Sequence, residues 1–414
     1  LRDLITTEKQ ETEMKKIVWM VAGACTLVNV AHAQSSVTLY GIVDNGLGYQ
    51  SSATTLGSTS GGRSLVKMTT GVYAADRLGF KGAEDLGGGS KAIFVLEQGF
   101  NAANGAESVS GLGFSRLAYV GLTNPVYGTL TAGREYSAYY TLLQPFSPEP
   151  RLTGYYAAHP GDIDGTDTDF HENNALVYTS PNFYGLTISG EYALGGVAGS
   201  FNAGSSWSAG AQYMNGPVGV AAAIWRINNS TPGGGAWGAS SVTSNNGAQI
   251  GLSAINVGYQ TAAAQQRAAV AGSYTFSPAW DVSLMYSNTQ YIPGTHSSFT
   301  DTAIFNTAAA VVHYKPGVAW DLAAGYAYTR ATSANRISSA ATYNQFNLGE
   351  VYSLSKATAV YAMEGFQRAS GETLGINGGG DIVNAVASAG DGGNAQPASS
   401  RSQVVVGVGL MHKF

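Results

Sequence analysis

The chain has 414 residues, 21 of them basic and 26 acidic, and its charged fraction is only 11%, against roughly 25% in an ordinary soluble domain. Glycine (55) and tyrosine (24) are abundant, and no helical heptads are present. So little charge excludes an ordinary water-facing globule and gives no footprint for a nucleic-acid partner; one face of the fold needs another solvent. The length is compatible with a single all-β barrel.

Residues 1–13 are charged and carry no apolar pattern, so they read as an upstream mis-start before Met14. Met14-Lys-Lys16, the apolar run Ile17 to Val30, and Ala31-His-Ala33 have the order of a secretory signal, with cleavage expected after Ala33. Removing residues 1–33 takes away four bases and four acids, so the net charge stays at −5. The single cysteine, Cys25, lies inside this leader, and the mature chain (34–414, one domain) is left without a thiol or disulfide. Beyond the leader no run approaches the roughly 18 apolar residues of a membrane helix. If the mature chain crosses a membrane, it must do so with strands.

A period of two recurs along the chain. Ala92, Phe94 and Leu96 oppose Glu97; Trp280, Val282, Leu284 and Tyr286 oppose Asp281, Ser283 and Ser287; Trp320, Leu322 and Tyr326 oppose Asp321. The last strand sets Val404, Val406, Val408, Leu410 and Phe414 against Val405, Gly407 and Gly409. Alternation alone fits a sandwich as well as a barrel, and the leader, the low charge and the terminal aromatic favour the barrel. Seven tight turns alternate with eight longer polar segments, near 50–63, 102–113, 136–172, 196–204, 228–266, 292–304, 332–341 and 371–401. The count predicts about 16 antiparallel strands with unequal loop lengths at the two ends, the pattern of a transmembrane barrel. Backbone groups in lipid cannot stay unpaired, so the first strand, near Val37 to Tyr49, should pair with the last. Tyr40, Tyr49, Phe276, Tyr291 and Phe414 are expected in interfacial girdles.

The long segment between Tyr136 and Glu172 stands apart, with four prolines and the acids Asp162, Asp164, Asp167 and Asp169. A loop of this length is functional or disordered. Among strand residues, Leu78 and Phe80 should face lipid, so Arg77 and Lys81 face the lumen; His171 should also look inward, opposite Leu176 and Tyr178. Arg134 shares parity with Leu130 and Ala132, and would need a bulge to turn inward.

Enzyme motifs are absent or false. Gly87-Gly-Gly-Ser-Lys91 lacks the phosphate-loop order, His171-Glu172 lacks a second histidine, and six scattered histidines make no metal site. No catalytic residue, cofactor or metal is expected.

The runs Ser36-Val-Thr-Leu-Tyr-Gly41, Arg77-Leu-Gly-Phe-Lys-Gly-Ala-Glu-Asp-Leu-Gly87, Val120 to Arg134, Tyr178-Thr-Ser-Pro181 and the terminal Phe414 together resemble the trimeric general porins of the Gram-negative outer membrane, especially their betaproteobacterial branch. The resemblance implies a third extracellular loop, here about 136–170, folded into the barrel. It implies a constriction where the loop acids Glu149, Asp162 and Asp164 face a basic wall of Arg77 and Arg134, which the lumen-facing Lys81 extends, with His171 where an arginine is usual. It also implies a homotrimer in outer-membrane lipid and lipopolysaccharide, Phe414 as the signal read by the barrel-assembly machinery, and passive diffusion of small hydrophilic solutes and ions with weak anion preference. His171 in place of arginine lowers the expected positive potential near neutrality and should make selectivity respond to mild acid. A substrate-specific channel, or an adhesin using loops 228–266 and 371–401, are the alternatives.

Overall fold

A computed structural model describes residues 36–151, 154–167, 171–238, 241–242, 252–391 and 395–414; the leader reading and cleavage after Ala33 lie outside these residues. The strands are β1 Ser36–Ala53, β2 Arg63–Thr70, β3 Arg77–Gly87, β4 Ser90–Gly99, β5 Leu117–Asn124, β6 Gly128–Tyr136, β7 His171–Thr179, β8 Leu186–Ala193, β9 Ser206–Asn215 and β10 Val218–Asn228. They continue as β11 Ala264–Ser277, β12 Trp280–Ile292, β13 Ala303–Tyr314, β14 Trp320–Ala331, β15 Thr342–Ser353, β16 Thr358–Ser370, a small hairpin β17 Glu372–Leu374 and β18 Ile382–Asn384, and β19 Ser402–Lys413.

Neighbours in sequence pair antiparallel all the way round, and β1 closes the sheet on β19, from Ile42 opposite Lys413 to Gln50 opposite Val405. β2 and β3 both pair with β1, one above the other, with Thr70 opposite Asn45 and Arg77 opposite Ile42. They are therefore two halves of one stave, and the barrel has 16. The expected strand count is met because turn chemistry and alternation both survive in this chain. At the seam Phe414 exchanges backbone hydrogen bonds with Gly41, at 3.1 and 3.0 Å, and its ring lies where a Cβ on Gly41 would fall. Closure leaves no edge unpaired in lipid.

The outer face carries the exposed apolar set that period two specified: Leu39, Leu47, Val66, Val120, Leu176, Val270, Leu284, Leu348 and Leu410. Near the short turns Trp280 stacks on Tyr314 (4.1 Å) and Trp320 packs on Tyr352 (4.9 Å), an aromatic band at one rim. Tyr49, Phe276 and Phe414 are exposed as expected of girdle residues. Two others are not. Tyr40 points inward and donates to Glu97 Oε2 at 2.9 Å, because it shares the parity of Asp44 rather than of Leu39. Tyr291 is fully buried, packed against Tyr259 and Phe305 under the loops.

Residues 71–76 interrupt the second stave. Gly71 takes φ +65°, and the Asp44 carboxylate collects the Tyr73 and Ala74 amides (2.8 Å each) and the Tyr361 hydroxyl (2.6 Å). Asp76 accepts from the Asp44 amide and from Thr70. Three dipoles on one buried carboxylate replace the lost ladder bonds, and the segment offers the Val72 carbonyl to the chain that crosses the barrel, taken up by Tyr155 N–H at 3.0 Å.

Candidate functional site: the loop across the barrel

Between β6 and β7 the chain leaves the wall. Ser137 caps a six-residue helix, α1 Ala138–Leu143, accepting from Tyr140 N–H through its side chain. The helix and the turn after it are apolar in a way a water-facing loop is not: Tyr139, Leu142, Leu143 and Phe146 are buried against Trp225, Ile227, Ala269 and Met285 of the inner wall. Burying each such side chain is worth roughly 1.5–3 kcal/mol, which offsets part of the cost of ordering the loop.

Polar contacts then fix its path. Gln212 donates to the Leu142 carbonyl (2.8 Å), Ser283 to Phe146 (2.9 Å), Arg267 to Ile163 (3.2 Å), Gln345 to Ala158 (2.7 Å) and Asn347 to Tyr156 (2.7 Å). These donors sit on β9, β11, β12 and β15, on the side opposite the exposed apolar residues. Tyr156 reaches β1 and β19, where Gly48 and Gly407 leave the room its ring occupies; a Cβ on either would lie 2.9 Å from that ring or its hydroxyl. Arg151 forms an ion pair with Asp281, which also binds His313 Nδ1 at 2.7 Å. The loop therefore touches the inner wall on several sides.

The acids of the loop have distinct surroundings. Asp164 is fully buried; its Oδ2 lies 2.7 Å from His159 Nδ1 and accepts from Ser287 at 2.6 Å, and its Oδ1 accepts from Thr166. Burial pushes its carboxyl up, but the His159 charge and the hydrogen bonds from His159, Ser287 and Thr166 outweigh burial and hold it below its usual range. Asp162, at φ +43°, is also buried and accepts the Thr166 and Asp167 amides at 3.1 Å each. Glu149 is only partly buried and receives the Tyr140 hydroxyl at 3.4 Å. Burial raises its carboxyl above the usual range, while the positive charges of Arg77 and Arg116 pull the other way.

On the wall that these charges share, Arg77 Nη1 lies 4.0 Å from Glu97 Oε1, and Arg116 Nε lies 2.7 Å from the same oxygen. Arg116 Nη2 also donates to the Tyr136 hydroxyl at 2.6 Å, and Tyr136 stacks on Tyr140 of the loop, 4.6 Å between centroids. Lys81 is exposed, its ammonium 5.2 Å from the Tyr40 ring. Arg134 is placed differently: it is buried, and it donates to the Ser115 carbonyl (2.7 Å), to Asn173 Oδ1 (2.6 Å) and to the His171 carbonyl (3.4 Å). Its guanidinium thus fastens the points where the loop leaves and rejoins the wall. The register between β6 and β7 shifts at this point, with the extra residue on β7, where Asn174 takes φ +56°. That shift pairs Glu172 with Glu135, and sets His171 against the Tyr136 ring at 4.4 Å.

Arg116 was not foreseen from the sequence. By counting back from Leu122, Val120 and Ala118 it belongs with the lipid-facing set, but β5 begins only at Leu117, so alternation no longer governs it. The available signal was its place at a strand end beside Leu117, the partner of Glu97.

A closed 16-strand barrel with an apolar outer face, entered by a loop fastened to its inner wall, defines an outer-membrane channel fold. The chain matches the Gram-negative porin model over residues 20–372, and it belongs to that family. It is 30% identical over 239 residues to an outer-membrane porin protein of Bordetella pertussis, covering 52% of this chain and 60% of that one. It is 34% identical over 179 residues to outer-membrane porin protein 32 of Delftia acidovorans, covering 39% and 45%. The matched stretches thus span about half the length of these curated relatives. Among solved structures, the anion-selective porin from Comamonas acidovorans superposes with a TM-score of 0.67 at 23% identity, over 92% of this chain and all of that one. The trimer form of OmpT of Vibrio cholerae gives 0.59 at 15% identity, over 92% and 99%.

Proposed function

We propose that this protein is an outer-membrane porin: a water-filled channel through which small hydrophilic solutes and ions diffuse passively, with weak preference for anions. The carrying observation is the course of the loop: it is bonded to the inner wall, its Tyr140 stacks on Tyr136, to which Arg116 donates, and the Tyr140 hydroxyl reaches Glu149. Opposite charges across a narrow aqueous gap produce a transverse field that orients polar solutes and disfavours apolar ones. In this reading Arg77, Arg116 and Lys81 are the basic wall and Glu149 the facing acid. Asp162 and Asp164 hold the loop's shape, Arg134 its ends, and His171 supports the Tyr136 ring. The anion-selective neighbour supports the sign of the preference.

Residues 14–33 serve as the export signal, removed after Ala33, and Phe414 as the feature read by the barrel-assembly machinery. The mature chain works as a homotrimer in outer-membrane lipid and lipopolysaccharide. The direct test is a planar-bilayer recording of the purified protein under a salt gradient. Stable ohmic steps in threes with a reversal potential on the anion side are expected; a silent barrel would remove the channel reading.

A further inference from the structure

Below α1 lies a cavity of about 320 Å³ between the loop and the inner face of β4 to β9. It is at the small end of the roughly 300–1,000 Å³ of typical small-molecule sites. Its wall is a hydroxyl surface: Thr129, Thr131, Thr179, Thr187 and Ser189 lie on the inward parity of β6, β7 and β8, opposite the exposed Leu130, Tyr178 and Ile188. Tyr119 lies on one side of this surface, and Thr141 and Leu142 of α1 roof it, tied down by the bond from Gln212 to the Leu142 carbonyl.

One group in this cavity has unused capacity. Glu135 is 7% exposed; its Oε2 accepts from Thr131 at 2.6 Å, and its Oε1, also buried, has no hydrogen-bond partner among the described residues. A buried carboxyl oxygen without a donor costs free energy, and a donor arriving with a solute removes that cost. The hydroxyls around it have spent their own hydrogens: Thr131 donates to Glu135, Thr179 bonds Ser189 at 3.1 Å, and Ser189 donates to the Tyr178 carbonyl at 2.9 Å, so what they keep is acceptor capacity. Their match, with Glu135 Oε1, is a ligand that brings several hydrogen-bond donors along its length and whose C–H faces can rest on Tyr119 and Leu142. A halide brings no donor to Glu135, and an apolar solute leaves its Oε1 unpaired.

We propose that this cavity is a binding subsite for a small neutral sugar, which pauses beneath the loop with one hydroxyl donated to Glu135 and others donated to the Thr131, Thr179 and Ser189 oxygens. The inference rests on the channel reading above and adds a solute class to it.

The test uses the whole purified porin in a planar bilayer, with maltose as the probe. Saturable, concentration-dependent interruption of the ion current is expected, with apparent affinity about tenfold weaker in the Thr131→Val, Thr179→Val double variant and in Glu135→Ala. Isothermal titration of maltose into the unmodified porin in detergent should show saturable binding, independent of whether the variants fold. A current that declines only in proportion to sugar concentration, or saturation by ethanolamine and not by maltose, overturns the subsite while leaving the porin reading intact. A barrel with no conductance steps sinks both.

Discussion

On the inner face of β11, β12 and β15 the loop meets groups that are spent on it: Ser283, Ser287, Arg267, Gln345 and Asn347 are all at least 95% buried, and each bonds a loop carbonyl or carboxylate. On β3 and at the start of β5 it meets a cluster paired mainly within the wall, in which Arg77 keeps 20% of its side chain in solvent and Lys81 is exposed. The first surface resembles a domain core, the second an electrode. One sets where the loop lies, and the other sets what the remaining gap prefers. Each can be altered with limited effect on the other.

The largest effect should come from the holding side. Asp164→Ala leaves His159 and Ser287 facing a vacated site, and removing one partner of a buried pair typically costs roughly 3–5 kcal/mol. The loop is then expected to lose its fixed position, seen as noisy single-channel current and higher mean conductance; quiet, unchanged steps would show that the anchor is dispensable. The pH dependence follows with a definite sign. Because the folded Asp164 carboxyl is held below its usual range, its contribution is present above that range and lost only as pH falls through the depressed value, beneath about pH 4. At pH 5 the loop should therefore remain docked.

On the facing side, Arg77→Ala with Arg116→Ala removes two of the wall's positive charges. Under a salt gradient the reversal potential should move toward cations by more than either single substitution gives. An unchanged potential would take both arginines out of the selectivity filter. Glu149 should respond in the opposite direction and to pH. Its carboxyl lies above the usual range, so it neutralises before an ordinary carboxylate as pH falls, leaving Arg77 and Arg116 unopposed. Anion preference should rise as the pH is lowered from neutrality and the rise should vanish in Glu149→Gln; a slope identical in the variant assigns the effect elsewhere.

The holding surface was legible only as a pattern, whereas the barrel was legible residue by residue. Strand count, turn positions, closure of β1 on the last strand and the lipid-facing parity of Leu284 or Leu410 all follow from period two, which acts locally and repeats. The inward parity of Tyr40 is equally legible, since it opposes Leu39, and it outweighs the preference of a strand-end tyrosine for the girdle. Arg116 and the surroundings of Asp164 were not readable, because both are set where periodicity stops: one at a strand end, the other in a chain whose course depends on His159, Ser287 and Arg267 meeting across more than 100 residues of sequence. The prolines and acids between Tyr136 and Glu172 announced an unusual loop. They did not announce that Asp162 and Asp164 would face inward on its own backbone and its anchors.

Lys81 gives the smallest expected effect and a strict check on the electrode picture. Its ammonium is exposed and rests near the Tyr40 ring rather than on an acid of the loop, so its field reaches the gap through water. The Debye length is about 10 Å at 0.1 M salt and about 3 Å at 1 M. Lys81→Ala should therefore shift the reversal potential by less than the Arg77 substitution at 0.1 M, and by nothing measurable at 1 M. Arg77, nearer to Glu97 and more enclosed, should keep part of its effect at the higher salt. Equal salt sensitivity of the two would mean that both charges act from open water, and that the loop does not narrow the passage beside them.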